Sequence, residues 1–348
     1  MRRSIASAVC LALLCGPAQS QETPQAGYMG SQSCRKCHEE IYNRYVDSGH
    51  PYKLRRASVA KLTGLPLPKG YAWEDILYVI GGVRKKARFV NLEGFIITTD
   101  KKGKPVPTQY NMSTGQWVNY HPGEKKPYKC GPCHMTAYRE TGRQHGRIGI
   151  VGTWVMDGIQ CEECHGPSSL HNADPKKSKL KVDKSSALCG KCHVRGDCDT
   201  IPAKAGFIRH HEQYNELLMG GHKKQACVDC HDPHSKVKAS IKATCASCHK
   251  EEGAAYATEI HGKSGIPCIE CHMPRATKSE VALNHFSGDV RTHLASINTD
   301  PDYVMFSQDG KLAKAQLSLR FSCLQCHQSR SSKWAGEYAA GFHKKAAK

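Results

Sequence analysis

The residues with the clearest chemistry lie in one short stretch, where two Cys-x-x-Cys-His motifs follow each other closely. The first spans residues 227–231 and reads Cys-Val-Asp-Cys-His, and the second spans residues 245–249 and reads Cys-Ala-Ser-Cys-His. This order and spacing is the attachment signature of c-type haem, because two thiols add to the haem vinyl groups while the next histidine binds the iron. The stretch therefore predicts covalently bound haem, with more than one iron.

The same motif occurs eight times along the chain. Numbered in chain order, motifs 1 to 8 are Cys34/Cys37/His38, Cys130/Cys133/His134, Cys161/Cys164/His165, Cys189/Cys192/His193, Cys227/Cys230/His231, Cys245/Cys248/His249, Cys268/Cys271/His272 and Cys323/Cys326/His327. A single copy could instead be half of a zinc site or a redox dithiol. Neither a multi-zinc site nor a disulfide framework explains a histidine after every second cysteine. We therefore predict eight covalently bound haem c groups, with the motif histidines as proximal iron ligands.

Histidines outside the motifs are numerous enough to complete every iron. Twelve of the twenty histidines lie outside the motifs, and eight haems need eight distal ligands. We predict as distal ligands His50, His171, His210, His211, His222, His234, His261 and His293. The remaining four are predicted to be spares: His121, His145, His285 and His343. Ligation by two histidines gives a lower reduction potential than ligation by histidine and methionine, which suits a low-potential carrier.

Short sequence separations restrict which iron a distal histidine can reach. His234 lies three residues after the proximal His231, and His222 lies five residues before Cys227. Neither can easily cross to the opposite face of the haem held by that motif. We therefore expect these histidines, and likewise His171 and His261, to ligate neighbouring haems, so that the haems form a contiguous array.

The sequence predicts only short helices and strands, and these must position the motifs. Residues 39–46 have apolar side chains at helical spacing, and this pattern ends just before His50. Residues 88–98 predict a β-hairpin, and residues 108–112 and 116–120 predict two further strands. This small antiparallel sheet could cover a haem face or dock a partner.

The predicted fold class is mainly α and irregular, a haem-packed multihaem cytochrome with a small antiparallel β insertion near residues 84–121. With seven Phe and four Trp, the chain has few large side chains to fill a core, so the porphyrins must supply much of the interior. The predicted organisation is a signal peptide (1–20), a first-haem segment (21–75), the β insertion (76–121) and an array of motifs 2 to 8 (122–348).

The N-terminus predicts export. Arg2 and Arg3 precede a short apolar run and a small-residue cleavage signal, so we expect cleavage after Ser20 and a periplasmic or extracellular location. The alternative is a lipoprotein anchored through Cys15. No later stretch is apolar enough to be a transmembrane segment.

The net positive charge of the chain does not indicate a nucleic-acid partner. The formal charge of +19 falls to +17 without Arg2 and Arg3, and the haem propionates bring it to about +9 with eight ferric haems or about +1 with eight ferrous haems. Lysine and arginine therefore mainly balance propionates, although a local basic face could dock an acidic redox partner. Cys198 lies outside the motifs and is predicted to be a small buried apolar residue or an inert thiol.

Three stretches carry a family resemblance: residues 30–50, residues 158–171 with Gly-Ile-Gln-Cys-Glu-Glu-Cys-His-Gly-Pro, and residues 261–274. They resemble the multihaem cytochromes c that include hydroxylamine oxidoreductase, its tetrahaem electron acceptor, pentahaem nitrite reductase and octahaem tetrathionate reductase. The resemblance covers most of residues 28–294 and implies haems packed in parallel and perpendicular pairs. The chain departs from the enzymes of this group: every motif ends in His rather than Lys, no tyrosine can be assigned as a cross-link between chains, and the octahaem reductases are larger.

The sequence as a whole predicts an exported octahaem cytochrome that relays electrons from a quinol-side donor to a terminal reductase or an external acceptor. Its expected partners are a membrane quinol dehydrogenase or other cytochromes. One alternative is an oxidoreductase that acts on nitrite, hydroxylamine, tetrathionate or a similar small molecule at an open haem. The other is a homo-oligomer or filament in which a histidine such as His343 is lent across the interface.

Overall fold

The computed structural model describes residues 26–343, so the predicted signal peptide lies outside the described residues. Most helices are single turns: α1 Ser31–Arg35, α2 Glu39–Val46, α3 Ala57–Ala60, α4 Gly131–His134, α5 Cys161–His165, α6 Ser169–Ala173, α7 Ser186–Gly190, α8 Gln213–Met219, α9 Cys227–Cys230, α10 Lys250–Thr258, α11 Ile260–Lys263, α12 Ile269–His272 and α13 Ser332–Ala339. The helix predicted over residues 39–46 is confirmed as α2. None of the helices in residues 26–343 has the length and apolar character needed to cross a bilayer.

The strands are equally short: β1 Leu54–Arg56, β2 Ile76–Gly81, β3 Lys86–Asn91, β4 Phe95–Ile96, β5 Gln109–Asn111, β6 Gln116–Val118, β7 Lys126–Pro127, β8 Met135–Thr136, β9 Met156–Asp157, β10 Ile201–Lys204, β11 Phe207–Arg209, β12 Thr277–Lys278 and β13 Leu312–Ala313. They form a seven-stranded sheet, a four-stranded sheet and the pair β8–β9.

Each haem-attachment motif folds as one helical turn. In motif 1 the amide of His38 donates to the carbonyl of Cys34 at 2.9 Å, and motifs 4 to 8 form the equivalent bond at 2.9 to 3.0 Å. Motifs 2 and 3 lie in α4 and α5. A helical turn places positions i, i+3 and i+4 on one face, so both thiols and the imidazole point to the same side.

The seven-stranded sheet is larger than the predicted β insertion. The predicted hairpin is confirmed, with Val90 opposite Ile96 in the β3–β4 pair, and β5 and β6 lie at the two further predicted strands. The sheet also contains β1, β2 and β7, so it runs from residue 54 to residue 127. Strands β1 and β7 are only three and two residues long, with basic residues and a proline, and therefore have no alternating apolar pattern.

Both faces of this sheet are covered by protein. Tyr78 and Val90 pack in a cluster with Trp154, whereas their chain neighbours Val79 and Phe89 pack in a second cluster. Successive side chains of a strand point to opposite faces, so the two clusters lie on opposite sides of the sheet. Val79, Phe89 and Val90 are completely buried.

The four-stranded sheet has the order β12-β11-β10-β13 and was not predicted. It joins chain segments far apart in sequence, and β11 pairs in parallel with β12 through Ile208 and Thr277. Its strands have two to four residues, too few for a recognisable period. Behind it lies a core that includes Ile201, Leu294 and Phe321.

The central segment, residues 221–273, contains motifs 5 to 7 and is built differently. No apolar side chain in this segment is buried. Val237, Ile241 and Ile260 are 67%, 57% and 73% exposed. Its side chains therefore form no hydrophobic core of their own.

Candidate haem-ligating histidines

Seven motif histidines each face one histidine from outside the motifs. The ring centroids of the pairs are 5.8 to 6.5 Å apart: His38–His171 6.4 Å, His50–His193 6.5 Å, His165–His234 6.2 Å, His222–His249 5.9 Å, His231–His293 6.2 Å, His261–His327 5.9 Å and His272–His343 5.8 Å. Two imidazoles that bind one metal through nitrogens at about 2 Å have ring centroids roughly 6 Å apart. The pairs therefore have the spacing of axial ligands on the two faces of one haem.

Hydrogen bonds set the tautomer of several of these rings. Nδ1 of His171 lies 2.7 Å from the carbonyl oxygen of Ser178, and Nδ1 of His272 lies 2.8 Å from that of Ala295. A carbonyl oxygen only accepts, so each Nδ1 carries the hydrogen and donates it. The lone pair that can bind a metal is then on Nε2. The hydrogen bond from Nδ1 orients the ring, as in many metal-bound histidines.

Burial also keeps two of the paired imidazoles, His50 and His293, neutral. Burial lowers the pKa of His50 to about 4 and that of His293 to about 4, with positively charged neighbours adding to the effect. Neutral imidazole is the form that binds metal. Nδ1 of His261, His293 and His343 is buried without a hydrogen-bond partner.

The described part of the chain has no cluster of side chains that resembles a zinc site. Among residues 26–343, no three His, Cys, Asp or Glu side chains converge in a way that could hold a metal ion. None of the described cysteines forms a disulfide. A pair of histidines beside a Cys-x-x-Cys turn fits an iron bound in a porphyrin, because the porphyrin supplies the other four ligands.

The pairs cross between motifs, as the short sequence separations require. His234 faces His165 of motif 3 rather than its neighbour His231, and His222 faces His249 of motif 6. His171 and His261 likewise face the histidines of distant motifs.

Cysteine contacts place the motifs next to one another. Thiols of four motif pairs lie close enough for one to shift the pKa of the other: Cys34 and Cys161, Cys133 and Cys192, Cys189 and Cys227, and Cys245 and Cys268. Three further thiol pairs are close enough to interact electrostatically: Cys164 and Cys192, Cys230 and Cys248, and Cys271 and Cys323. The contacts give a sequence of motifs 1-3-4-5-6-7-8, with motif 2 beside motif 4 as a branch.

The second cysteines of the two terminal motifs, Cys37 and Cys326, are exposed, as are Cys164, Cys230 and Cys248 of the inner motifs. The sequence predicted both as haem-attachment residues, but the structure leaves both exposed. Each lies on the same turn as the first cysteine of its motif, because the amides of Cys37 and Cys326 donate to the carbonyls of Cys34 and Cys323 at 3.2 Å. Haem attachment at Cys37 and Cys326 therefore stays a prediction from the motif spacing.

Motif 2 differs from the other seven. Within the described chain, no histidine ring pairs with His134. Burial, with the charges of Lys53 and Arg88, lowers the pKa of His134 to about 3. His210 and His211, both predicted as distal ligands, contact each other with centroids 4.3 Å apart, and neither ring pairs with a motif histidine.

A strained turn holds these two histidines on the motif 2 side. His211 has φ 72°, in the left-handed region, and its ring is close enough to Lys53 and His134 for their charges to lower its pKa. Arg195 Nη2 donates to the carbonyl of His210 at 3.0 Å. The turn therefore brings His211 near His134 and Lys53, but the two imidazole rings do not form a pair like the other seven.

His343 is the candidate ligand that sequence reasoning passed over. It was predicted to be a spare, but the structure places its ring 5.8 Å from that of His272. Helix α13 packs against motif 8 and carries the chain back toward motif 7. The other predicted spares, His121, His145 and His285, are exposed. Cys198 is also exposed, in a polar turn before β10, so the first of its two predicted roles, a small buried apolar residue, is wrong, and an inert thiol stays a prediction.

Comparison with known proteins supports this chemistry. The family described as cytochrome c554 and c-prime matches residues 100–166. The multiheme cytochrome MtrA of Shewanella baltica is 28% identical over 188 residues, which are 48% of this chain and 50% of that protein. The match therefore spans about half the length of this relative.

Two solved structures have a similar fold. The outer cell wall cytochrome OcwA superposes with a TM-score of 0.61 and 19% identity, covering 89% of this chain and 86% of its own. The octaheme sulfite reductase MccA of Wolinella succinogenes gives a TM-score of 0.65 and 16% identity, covering 86% of this chain and 65% of its own. At these identities the likeness concerns the fold alone.

Proposed function

Since the chain is a multihaem c-type cytochrome, we propose that it is an exported carrier with eight covalent haems that relays electrons from a quinol-side donor to a terminal reductase or an external acceptor. The observation that carries this proposal is the set of seven histidine pairs at 5.8 to 6.5 Å. An iron with two imidazoles has no position left for a substrate, so such a site can only pass electrons.

The protein's own contribution is spacing and rigidity. The motif thiols and the crossed histidines would hold the haems, which supply one-electron redox chemistry when bound. Contacts such as Cys34 with Cys161 and Cys189 with Cys227 keep successive attachment turns together. A contiguous series of closely spaced motifs supports a relay through the chain.

We propose a periplasmic or cell-surface location and redox partners of the quinol dehydrogenase or cytochrome type. The name of OcwA places that protein at the outer cell wall, and MtrA is itself a multiheme cytochrome. Assembly into a homo-oligomer or filament is a further proposal, but His343 already faces His272 within the chain. That pairing argues against lending His343 to a neighbouring subunit.

A second candidate function rests on motif 2 alone. His134 has no paired imidazole within the described residues, and the half-buried cations Lys53 and Arg88 lie around it. An iron there with one protein ligand could bind and reduce a small nitrogen or sulfur oxyanion, because the cations would attract it. His210 and His211 would be the nearest hydrogen-bonding groups.

Electron paramagnetic resonance of the oxidised holoprotein, with haem counted against protein, tests both candidates. The relay predicts eight haems, of which at least seven are low-spin. Several high-spin haems per chain, or fewer than seven haems, would contradict it. A single high-spin haem that shifts with nitrite or hydroxylamine supports the reductase, whereas an unresponsive spectrum excludes it.

The ligand assignment is tested most sharply at His343. Replacement His343→Ala removes the imidazole facing His272, so one further haem should change from low-spin to high-spin. His285→Ala is the matched control, because His285 is an exposed histidine outside the pairs and should leave the spectrum unchanged. Equal spectra for the two variants would remove His343 from the ligand set.

A further inference from the structure

Motifs 1 and 3 are joined by a buried carboxylate. Glu162, the residue after the first cysteine of motif 3, is 2% exposed. Its oxygens accept from the amide of Met29 at 2.8 Å, the amide of Gly30 at 2.7 Å, and the amide and hydroxyl of Ser168 at 2.9 and 2.6 Å. Every partner is a donor, which is the hydrogen-bond pattern of an ionised carboxylate.

The backbone at Met29 and Gly30 is shaped for this contact. Gly30 has φ 84°, in the left-handed region, and this turn aims two successive amides at one anion. Immediately after it, α1 begins and leads to Cys34 of motif 1. Glu162 therefore fixes the start of motif 1 directly onto the turn of motif 3.

The negative charge of Glu162 has no cationic partner. Within the described chain, no lysine, arginine or histidine forms an ion pair with this carboxylate. Neutral donors stabilise the charge but do not cancel it, so its field persists in a low-dielectric interior. The thiols of Cys34 and Cys161, which mark the attachment edges of two haems, contact each other beside it.

We propose that Glu162 is a positioning residue that also makes the haems of motifs 1 and 3 the low-potential end of the array, an inference that rests on the relay proposed above. Reduction adds an electron to a haem, and a nearby buried negative charge opposes that addition. Motif 2 has the opposite environment, because Lys53 and Arg88 lie near His134. The fixed charges therefore favour electron flow from motifs 1 and 3 toward the rest of the array.

The test is Glu162→Gln in the full holoprotein, with midpoint potentials followed by spectroelectrochemistry and magnetic resonance. Two haem potentials should shift upward while the others stay in place. Asp229→Asn is the matched control: Asp229 also lies inside an attachment motif and also accepts a backbone hydrogen bond, but it is exposed. Water screens its charge, so this variant should leave the potentials unchanged.

A second variant separates charge from simple loosening. Ser168→Ala removes one hydrogen bond to the carboxylate but keeps its charge, so the two potentials should stay or move downward. A purely structural role would move both variants in the same direction, and that result would overturn the proposal. So would unchanged potentials in Glu162→Gln. If instead the relay proposal is wrong, the wild-type protein will have fewer than seven low-spin haems, and this result is obtained before any variant is compared.

Discussion

The seven-stranded sheet and the central segment are stabilised by different kinds of interior. In the sheet, Val79, Phe89 and Val90 are fully buried between layers of protein side chains. The central segment, residues 221–273, has three attachment motifs and no buried apolar side chain. The comparison teaches that the sheet has a hydrophobic core of its own side chains, whereas the central segment has none and must be stabilised in another way.

The side chains of the central segment support this interpretation. Ile241 and Ile260 are more than half exposed, although burial of such a side chain would contribute about 1.5 to 3 kcal/mol. In the proposed holoprotein, apolar residues beside the Cys-x-x-Cys turns and the paired histidines would contact the porphyrins. Folding of this segment should then depend on haem attachment, as folding of small metal domains depends on their metal.

The largest effect is expected when haem attachment is blocked inside the central segment. The double variant Cys245→Ala/Cys248→Ala prevents attachment at motif 6, and residues 221–273 should lose most of their protection against hydrogen exchange. Peptides from β2 and β3 should keep theirs. Cys198→Ala is the control, because Cys198 is an exposed cysteine outside the motifs. Uniform loss of protection over the whole chain would break the distinction between the two regions.

The converse variant is Phe89→Ala in the sheet. It removes a fully buried aromatic ring, which should lower the free energy of unfolding of the sheet by about 3 to 5 kcal/mol. Hydrogen exchange in β2 and β3 measures this change, and the haem content should stay at the wild-type value. Leu92→Ala at the exposed β3–β4 turn is the control and should change little. A loss of haem from the central segment in Phe89→Ala would mean that the two interiors depend on each other.

The smallest expected effect concerns a contact between the sheet and the second half of the chain. Lys85 Nζ lies 2.9 Å from Asp289 Oδ2, and the amides of Ser279 and Glu280 donate to the same carboxylate. Burial alone would raise the pKa of Asp289, but these donors outweigh it and the pKa lies below the ordinary value. The contribution is therefore present above about pH 4 and is lost as the pH falls through the lowered pKa.

Asp289→Asn should consequently destabilise the protein at pH 6 by no more than about 1 kcal/mol, because Lys85 is partly exposed. The difference from wild type should shrink as the pH approaches 3. Thermal unfolding of wild type and variant at the two pH values measures this difference. Histidine protonation destabilises both proteins equally and therefore cancels from the difference. A difference that grows toward low pH would contradict the assigned sign.

The sequence predicted the attachment chemistry and some of the local structure. The eight repeats of one motif predict haem attachment without any knowledge of the fold. The helix over residues 39–46 and the hairpin around Val90 and Ile96 follow from periodic apolar residues. Strands β1, β7, β10, β11, β12 and β13 were missed because two to four residues carry no recognisable period. Their pairing depends on tertiary contacts between distant parts of the chain.

The ligand pairs were only partly accessible to sequence reasoning. Short separations indicated that His222 and His234 reach other motifs, since a few residues cannot span a haem. Nothing in the sequence near His343 distinguishes it from an exposed histidine such as His285. Its position opposite His272 depends on how α13 packs against motif 8, which is a tertiary contact.

The crossed histidine pairs have a consequence for the topology of the chain. In the proposed holoprotein, each of the seven paired irons closes a loop of the chain, and two of these loops, His38 with His171 and His50 with His193, span more than a hundred residues. Closing a loop of that length in the unfolded chain removes conformational entropy equivalent to about 4 to 5 kcal/mol when the link is a disulfide. In that holoprotein, coordinate bonds would take the part that disulfides play in many exported proteins, because the motif cysteines would all be bound to haem.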